Sequence, residues 1–322
     1  MPLLSIENLK MHFYTLRGWV KAVDDISLLL EPGGSLGLAG ESGCGKTSAM
    51  LTLLRLLPHN GKVFGGKIVF KGTDLLQMDE SQFNKEIRWK KISTVFQGAM
   101  NSLHPTIKIG DQIAEGISIH EDISKGEAME RAKKLLDLVG IGASRFDRYA
   151  HELSGGMKQR TMIAMALACN PELVVLDEPT TALDVIIAAQ VLKVIKELQQ
   201  KLHLSIILIS HDLSMIAEVC NRVSIMYAGK VVEQGDIVPI YKEPLHPYTI
   251  KLIAAFPSVL GRRTELSSIH GFPPDLLAPP HGCRFHPRCD FAMEICRKEE
   301  PPLISAGEDH YVACWLVGGR KE

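Results

Sequence analysis

The sequence predicts an α/β fold in which an open sheet carries the functional loops, followed by a small irregular extension. Three observations lead to this fold class. A short buried strand enters a glycine-rich loop and a helix over residues 35–57, and a second buried strand ends in two carboxylates over residues 173–178. Hydrophobic periodicity then disappears from residue 257 onward, which is typical of a segment that buries little core of its own.

The composition is that of an ordinary globular protein. Of the 322 residues, 46% are hydrophobic and 23% are charged, enough for one large domain with an appendage. Lys and Arg number 36 against 37 Asp and Glu, so net charge gives no support to a nucleic-acid partner. Glu7 interrupts the stretch where a secretion signal has its apolar core, and no apolar run approaches the ~18 residues of a membrane span. The sequence predicts a cytosolic chain that reaches the membrane only through a partner.

The first elements predict antiparallel strands around a phosphate-binding loop. Residues 3–40 and 66–75 alternate as strands do, and the segment GESGCGKT between strand and helix fits the pattern G-x-x-x-x-G-K-S/T. Glycines let the backbone amides face phosphate oxygens at a helix N-terminus. Lys46 is expected to bind the β/γ oxygens, and the Thr47 hydroxyl to bind Mg²⁺. The predicted nucleotide contacts in this loop are Gly40, Ser42, Gly43, Cys44, Gly45, Lys46, Thr47 and Ser48.

One thiol, Cys44, lies inside this loop, close to Lys46 and to the start of the helix. Such a position lowers a thiol pKa. A small side chain that merely fills the loop is the favoured interpretation. The hypothesis weighed against it is that Cys44 is the most readily alkylated thiol, with bound ATP protecting it.

The strand in PELVVLDEP supplies the carboxylates that a phosphate loop needs. Its apolar residues lead directly into Asp177 and Glu178, and ligands bind at the carboxyl ends of strands in open α/β sheets. Asp177 is predicted to hold Mg²⁺ and Glu178 to polarise the attacking water.

The segment LSGGMKQR, residues 153–160, resembles the signature motif of ABC-type ATPases. The resemblance covers residues 1 to about 250 and implies a P-loop ABC nucleotide-binding domain: a RecA-like core, an antiparallel β subdomain and a helical subdomain at about 97–152. It also implies a head-to-tail dimer, in which Ser154, Gly155 and Gly156 close over the γ-phosphate that the partner binds.

Further family elements follow in the order of the chain. The resemblance makes Gln97 of VFQ the residue that links magnesium and water to a transmembrane partner, and Asp184 of TALD a residue of the dimer seam. His211 of ILISHD becomes the switch histidine near the γ-phosphate, with a packed histidine at a strand end as the alternative. Phe13 is the predicted stacking platform for adenine, and Tyr14 is its alternative. Catalysis is thus assigned to Glu178, His211, Gln97 and Lys46.

Beyond this domain, the segments HPYTIKL, GFPPDL and GCRFHPRC resemble the C-terminal extension of ATPases from oligopeptide and dipeptide importers. The predicted domains are therefore 1–255 and 256–322. The resemblance implies import of peptides, or of oligosaccharides, at the cytoplasmic face of the membrane. The implied partners are a second ABC ATPase subunit (a paralogue or a second copy), two transmembrane permease subunits and an extracytoplasmic substrate-binding protein. The alternative function is a soluble ABC ATPase acting on nucleic acid or in iron–sulfur assembly.

Four cysteines in the extension, Cys283, Cys289, Cys296 and Cys314, follow the spacing C-x5-C-x6-C-x17-C. A short segment with little core needs a staple, and disulfides are disfavoured in the cytosol. The closely paired cysteines that are typical of zinc sites are missing. The resembling family extension is associated with a 4Fe–4S cluster, so the resemblance implies that these four cysteines hold such a cluster as a structural staple. Zinc and unligated thiols are the alternatives, and a redox sensor is the alternative to a structural staple.

Two arginines, Arg284 and Arg288, adjoin these cysteines. They are expected either to flank a negatively charged cluster or to be solvated loop residues. Cys169 and Cys220, in apolar helical segments, are predicted to belong to the core.

Overall fold

The computed structural model describes residues 1–255 and 269–318. Its strands are β1 (Leu4–Thr15), β2 (Gly18–Leu30), β3 (Ser35–Ala39), β4 (Gly61–Phe70), β5 (Thr73–Asp74), β6 (Ile92–Val95), β7 (Leu173–Asp177), β8 (Ser205–Ser210), β9 (Arg222–Tyr227), β10 (Lys230–Asp236), β11 (Ile304–Gly307) and β12 (His310–Val312).

The helices are α1 (Lys46–Leu53), α2 (Glu80–Glu86), α3 (Ile109–His120), α4 (Lys125–Leu138), α5 (Gly155–Ala166), α6 (Val185–Leu202), α7 (Leu213–Val219), α8 (Ile237–Lys242), α9 (Pro247–Ala254), α10 (Glu294–Lys298) and α11 (Trp315–Gly318). In the part of the chain that is described, no helix has the length and apolar character needed to cross a bilayer.

The first of two compact units comprises Met1–Leu30, Leu36–Leu76 and Ile209–Glu322. Strands β2-β1-β4-β5 form an antiparallel sheet in that order. Strands β11-β12-β10-β9-β3 follow one another in a second sheet, where β3 and β9 are parallel, and β10 is antiparallel to both β9 and β12, as β12 is to β11. All five residues of β3 are buried, as expected for a strand covered on both faces. The phosphate loop follows this strand.

The second unit comprises Glu31–Ser35 and Gln77–Leu208. Its strands run in the order β8-β7-β6, with β6 and β7 parallel. Helix α6 buries Ala188 and Leu192 on one face, the spacing of an amphipathic helix. Helices α3 and α4 pack together within residues 97–152, the segment for which the family resemblance implies a helical subdomain.

Helix α1 is shorter than the apolar sequence pattern indicated. The pattern predicts a helix to residue 57, but α1 ends at Leu53. Arg55 adopts a left-handed backbone conformation with φ 52°, which a helix cannot continue through, and Pro58 follows. The helix therefore stops one turn early.

The extension forms structure that its sequence pattern did not reveal. Strand β12 pairs with β10 through Glu233 and Val312, and β11 pairs with β12. Phe285 is buried among the rings of Tyr227 and Tyr248, with centroid distances of 5.1 and 5.4 Å. The extension lacks periodicity because it completes a core whose other side chains lie earlier in the chain.

Candidate nucleotide site and cysteine cavity

The phosphate loop has a backbone that only glycine accommodates at two positions. Gly45, the N-cap of α1, has φ 105°, and a Cβ atom there would lie 2.1 Å from the carbonyl oxygen of Ala22. At Gly40, with φ 144°, a Cβ would lie 2.2 Å from the carbonyl oxygen of Met226. Both distances are far below contact, so the strand–loop–helix connection requires these glycines.

Lys46 is held inside the loop that it is predicted to serve. Its Nζ donates hydrogen bonds to the carbonyl oxygens of Gly40 at 2.7 Å and Glu41 at 3.0 Å, and the residue is 6% exposed. These bonds compensate the burial of the ammonium group and fix a positive charge at the loop, where phosphate oxygens are expected.

The hypothesis of a reactive Cys44 thiol is wrong. Cys44 is buried, and burial raises its pKa although the Lys46 charge acts to lower it. Removing a thiolate from water outweighs one neighbouring cation. Cys44 therefore fills the loop as a neutral thiol, which agrees with the favoured interpretation of the sequence.

In the second unit the structure brings together Gln97 and Glu178, two of the predicted catalytic residues. Asp177 is buried at the end of β7, and Glu178 follows with a left-handed φ of 46°. Gln97 donates from Nε2 to Glu178 Oε2 at 2.9 Å, and Thr181 donates from Oγ1 to the same oxygen at 2.9 Å. The sequence did not identify Thr181, because nothing in its spacing indicates that the chain turns back here.

The signature and dimer-seam residues begin two helices. Ser154 caps α5 by accepting from the Met157 amide at 3.4 Å, and Asp184 caps α6 by accepting from the Ile187 amide at 3.0 Å. A Cβ at Gly156 would lie 2.4 Å from Ile187 Cγ2. Gly156 thus permits close contact of the helix N-termini, where amide groups favour anions. Gly155 precedes it in α5.

His211 lies between two fixed elements. It follows β8 directly and is exposed, and Asp212 caps α7 by accepting from the Ser214 amide at 2.8 Å. The alternative of a packed histidine is therefore not what the structure has. The switch role stays a prediction.

The two candidate adenine platforms lie on different faces of β1. Phe13 is half-buried and lies opposite Val20 and Gly61 in the neighbouring strands. Tyr14 is exposed and packs edge-on against Trp19, with ring centroids 5.2 Å apart. The Tyr14 ring already has an aromatic neighbour, and the choice of Phe13 stays a prediction.

The four cysteines of the extension line one small cavity, together with Phe285 and other side chains. Burial, and then the neighbouring thiols, raise the pKa of Cys283 to about 11; burial also raises the pKa of Cys289 and Cys314. Within residues 1–255 and 269–318, no group of three or more His, Cys, Asp or Glu side chains is arranged as a ready metal site. The four thiols are gathered around one cavity, and burial disfavours the thiolate form of Cys283, Cys289 and Cys314.

The two arginines beside these cysteines are buried, so the alternative of solvated loop residues is wrong, and the alternative that they flank a charged cluster stays a prediction. Arg284 forms an ion pair with Asp24, and Arg288 forms one with Glu41. Both partners belong to the first 76 residues of the same compact unit. Cys169 and Cys220 are buried, as predicted.

Comparison with known proteins identifies the chain. Residues 23–181 match the family described as ABC transporter, and residues 232–296 match the family described as oligopeptide/dipeptide transporter, C-terminal region. The chain is 44% identical to the probable peptide ABC transporter ATP-binding protein y4tR of Sinorhizobium fredii, over 97% of this chain and 94% of that protein. It is 44% identical to the oligopeptide transport ATP-binding protein OppD of Bacillus subtilis, over 98% of this chain and 89% of that protein. The chain belongs to the ATP-binding subunits of oligopeptide and dipeptide ABC transporters.

This ABC transporter subunit is therefore an ATPase with the predicted P-loop ABC fold. Among solved structures it is similar to cbiO1 of Clostridium perfringens, with a TM-score of 0.66, 26% identity and coverage of 75% of this chain and 91% of that one. The dimeric ATP-binding cassette MJ0796 shares the fold, with a TM-score of 0.64, 23% identity and coverage of 73% and 98%. The relatives do not favour the alternative of a soluble ATPase acting on nucleic acid or in iron–sulfur assembly.

Proposed function

We propose that this ABC ATPase powers the import of di- or oligopeptides. The observation that carries the proposal is the match of the extension to the peptide-transporter C-terminal region, residues 232–296. Cassettes of other transporters cover only 73–75% of this chain, so a generic ATPase does not account for the extension. Oligosaccharide import is the competing substrate class.

Each predicted site residue takes one role in this proposal. Lys46 neutralises the phosphate charge, and Thr47 and Asp177 supply oxygen ligands for Mg²⁺, a set of donors that this hard cation prefers. Glu178 orients and deprotonates the attacking water, with Gln97 holding its carboxylate. Binding of ATP favours a closed dimer and hydrolysis releases it, a population shift that membrane partners convert into alternating access. The residues assigned to the dimer seam are Ser154, Gly155, Gly156 and Asp184, and His211 is assigned to the γ-phosphate.

The partners follow from the same proposal. They are a second ABC ATPase subunit, two transmembrane permease subunits and an extracytoplasmic binding protein, which place this chain at the cytoplasmic face of the membrane. Gln97 and the helical segment at about 97–152 form the proposed docking surface. A mostly polar groove beside α3, lined by Glu80, Lys90, Ile119 and other side chains, lies next to this segment.

The substitution Glu178→Gln tests the catalytic assignment. The amide keeps the shape and the hydrogen bonds but cannot take a proton. We expect ATP binding to persist and hydrolysis to slow by about 10²-fold or more, measured as phosphate release and nucleotide affinity. Glu172→Gln is the control, since Glu172 pairs with Lys91 before β7 and should retain turnover. Wild-type turnover in Glu178→Gln would remove Glu178 from its role.

Transport by the reconstituted complex tests the substrate class. The chain, a second ATPase and the permeases are placed in proteoliposomes with labelled peptides or oligosaccharides. ATP-dependent uptake of peptides that Glu178→Gln abolishes supports the proposal. Uptake of oligosaccharides alone overturns it.

We further propose that Cys283, Cys289, Cys296 and Cys314 hold a 4Fe–4S cluster. Their thiol groups share one cavity, and four cysteines are the usual ligands of such a cluster. Burial raises the pKa of Cys283, Cys289 and Cys314. These thiols must release their protons when the cluster binds, because the thiolate is the form that ligates metal. When bound, the cluster cross-links a segment that has little core of its own.

Iron and sulfide analysis after anaerobic purification tests the cluster. We expect about four irons and four sulfides per chain, and a loss of both in Cys289→Ser. Cys169→Ser is the matched control, because Cys169 is a buried core cysteine outside the cavity, and should keep the iron. One zinc per chain would replace iron–sulfur by a zinc staple, and no metal would reject the proposal.

A further inference from the structure

One ion pair, between Arg288 and Glu41, connects the extension to the phosphate loop. Arg288 donates from its two terminal nitrogens to the two carboxylate oxygens of Glu41, at 2.6 and 3.0 Å. Glu41 is the second residue of GESGCGKT. The Arg288 side chain is 5% exposed and that of Glu41 is 26% exposed, so water screens this bidentate pair far less than a surface pair.

Arg288 is itself held in place. Its Nε donates to the carbonyl oxygen of His270 at 2.9 Å, one terminal nitrogen donates to the Tyr227 hydroxyl at 3.3 Å, and the guanidinium lies 5.8 Å from the centre of the Tyr227 ring. Lys251 donates to the Arg288 carbonyl oxygen at 3.2 Å. The guanidinium is thus pre-organised for Glu41.

The backbone of the same loop residue has a second fixed contact. The Glu41 amide donates to the Tyr248 hydroxyl at 2.9 Å, and Tyr248 lies in α9 and is fully buried. The Glu41 carbonyl oxygen accepts from Lys46. Glu41 therefore contacts Arg288 of the extension through its side chain and Tyr248 of α9 through its amide. Through its carbonyl oxygen it contacts Lys46, the lysine that is assigned to phosphate.

Arg284 connects the extension to Cys44 of the loop indirectly, through the segment Ala228–Gly229. Arg284 pairs with Asp24 and donates to the carbonyl oxygen of Ala228. The next residue, Gly229, donates from its amide to the carbonyl oxygen of Cys44 at 2.9 Å. Two arginines that directly follow or precede cluster cysteines in sequence thus support both walls of the loop.

Charge gives the ion pair a role beyond shape. Glu41 places a carboxylate in the loop that receives the polyphosphate of ATP. Without Arg288 this carboxylate would repel the phosphate oxygens, and the loop would lose the contact that sets its backbone. Arg288 removes both penalties before ATP arrives.

We propose that Arg288 is a positioning residue of the phosphate loop, and that the C-terminal extension thereby sets the affinity of this ATPase for nucleotide. The ligand class is a nucleoside triphosphate with its Mg²⁺, and the contact acts through Glu41. The inference rests on the assignment of residues 40–48 as the loop that binds ATP.

Nucleotide binding by full-length variants tests this role. A fluorescent ATP analogue with Mg²⁺ is titrated against wild type, Arg288→Ala and Arg288→Lys, and KM and kcat are measured in parallel. We expect Arg288→Ala to raise Kd and KM about tenfold or more with kcat within about twofold, since loop geometry and charge act on binding. Arg288→Lys keeps the charge but not the bidentate geometry, so its Kd should lie between the two.

A double variant separates positioning from general destabilisation. Adding Glu41→Gln to Arg288→Ala removes the unpaired carboxylate, so we expect part of the affinity to return. Loss of fold alone would give no such recovery. If Arg288→Ala does not fold, Arg288→Lys is decisive, and an unchanged Kd in that variant overturns the proposal.

Arg222→Ala is the matched control. Arg222 also ties the extension to a sheet strand, through Asp309 at 3.5 Å, but its ion-pair partners are Asp236 and Asp309 and neither belongs to the loop. Its Kd should stay within about twofold of wild type. An equal loss in Arg222→Ala, or a wild-type Kd in Arg288→Ala, would overturn the role of Arg288. A wild-type chain that binds no nucleotide would instead contradict the proposed function itself.

Discussion

Glu178 has a backbone conformation that side-chain-bearing residues rarely adopt. Its φ is 46°, and Ala182, four residues on, has φ 68°. Such a conformation costs of order 1–3 kcal/mol and persists where its surroundings enforce it. Hydrogen bonds from Gln97 and Thr181 to the carboxylate supply part of that enforcement. Both donors hold the Glu178 carboxylate at this strained turn.

Alkylation of Cys44 should be slow in the folded chain. Because burial raises its pKa, the thiolate forms only above the ordinary range near pH ~8.5, and the rate should keep rising with pH beyond that value. We expect the unfolded chain to react at least about tenfold faster at pH 8, measured by peptide mapping of iodoacetamide adducts. Cys220, whose pKa burial raises to about 12, should behave alike. Equal rates in folded and urea-unfolded protein would show that Cys44 is accessible.

Residue types were easier to predict than residue environments. Lys46, Asp177 and Glu178 could be assigned because each follows a recognisable local pattern. The environment of Cys44 could not, since desolvation depends on the side chains that cover it. The partner of Arg288 could not be predicted for a related reason, since Glu41 lies 247 positions away in sequence.

At the scale of elements, one glutamine ties the chain after Gln97 to the helices that follow. Gln112 of α3 accepts from the His104 amide at 2.9 Å and donates to the carbonyl oxygens of His104 and Ile107 at 3.1 and 2.8 Å. The residue is buried, so these bonds satisfy groups that water does not reach easily. The loop preceding α3 is fixed by this side chain.

Replacing Gln112 with leucine should release that loop. Leucine has a similar volume but no polar atoms, so three hydrogen bonds worth about 1 kcal/mol each are lost. We expect amide exchange at His104 to accelerate at least about tenfold, measured by hydrogen–deuterium exchange. Gln82→Leu is the control, because Gln82 is exposed and, among residues 1–255 and 269–318, donates only to Glu86 in the same helix. An unchanged exchange rate at His104 would mean that other contacts hold the loop.

Long and strongly patterned elements could be predicted from sequence. The buried runs of β3, β7 and β8 and the amphipathic pattern of α6 are visible in the residues themselves. Strands β11 and β12 have four and three residues, too few for a periodic signal. They form because β10 offers a free edge to pair with, which is a property of the folded unit.

At the scale of the whole molecule, the extension and the phosphate loop belong to one compact unit. Sequence similarity divides this unit, since one family match ends at residue 181 and the other begins at residue 232. The proposed division into 1–255 and 256–322 describes the order of the sequence, whereas Arg284 and Arg288 join the later part to the earlier one. Local sequence patterns cannot predict such long-range ion pairs. The motifs could therefore be predicted, whereas the arginines that contact residues in and near the phosphate loop could not.

The distance in sequence between Glu41 and Arg288 also has a consequence for biosynthesis. A ribosome completes all the ATPase motifs well before it reaches residue 288. Until then the phosphate loop of the emerging chain lacks the contact between Glu41 and Arg288. Under the proposed role of Arg288, a nascent or truncated chain has weak affinity for ATP. The finished subunit then binds nucleotide more tightly than a translation product that ends before residue 288, so an incomplete chain is at a disadvantage in the ATP-dependent closing of the dimer.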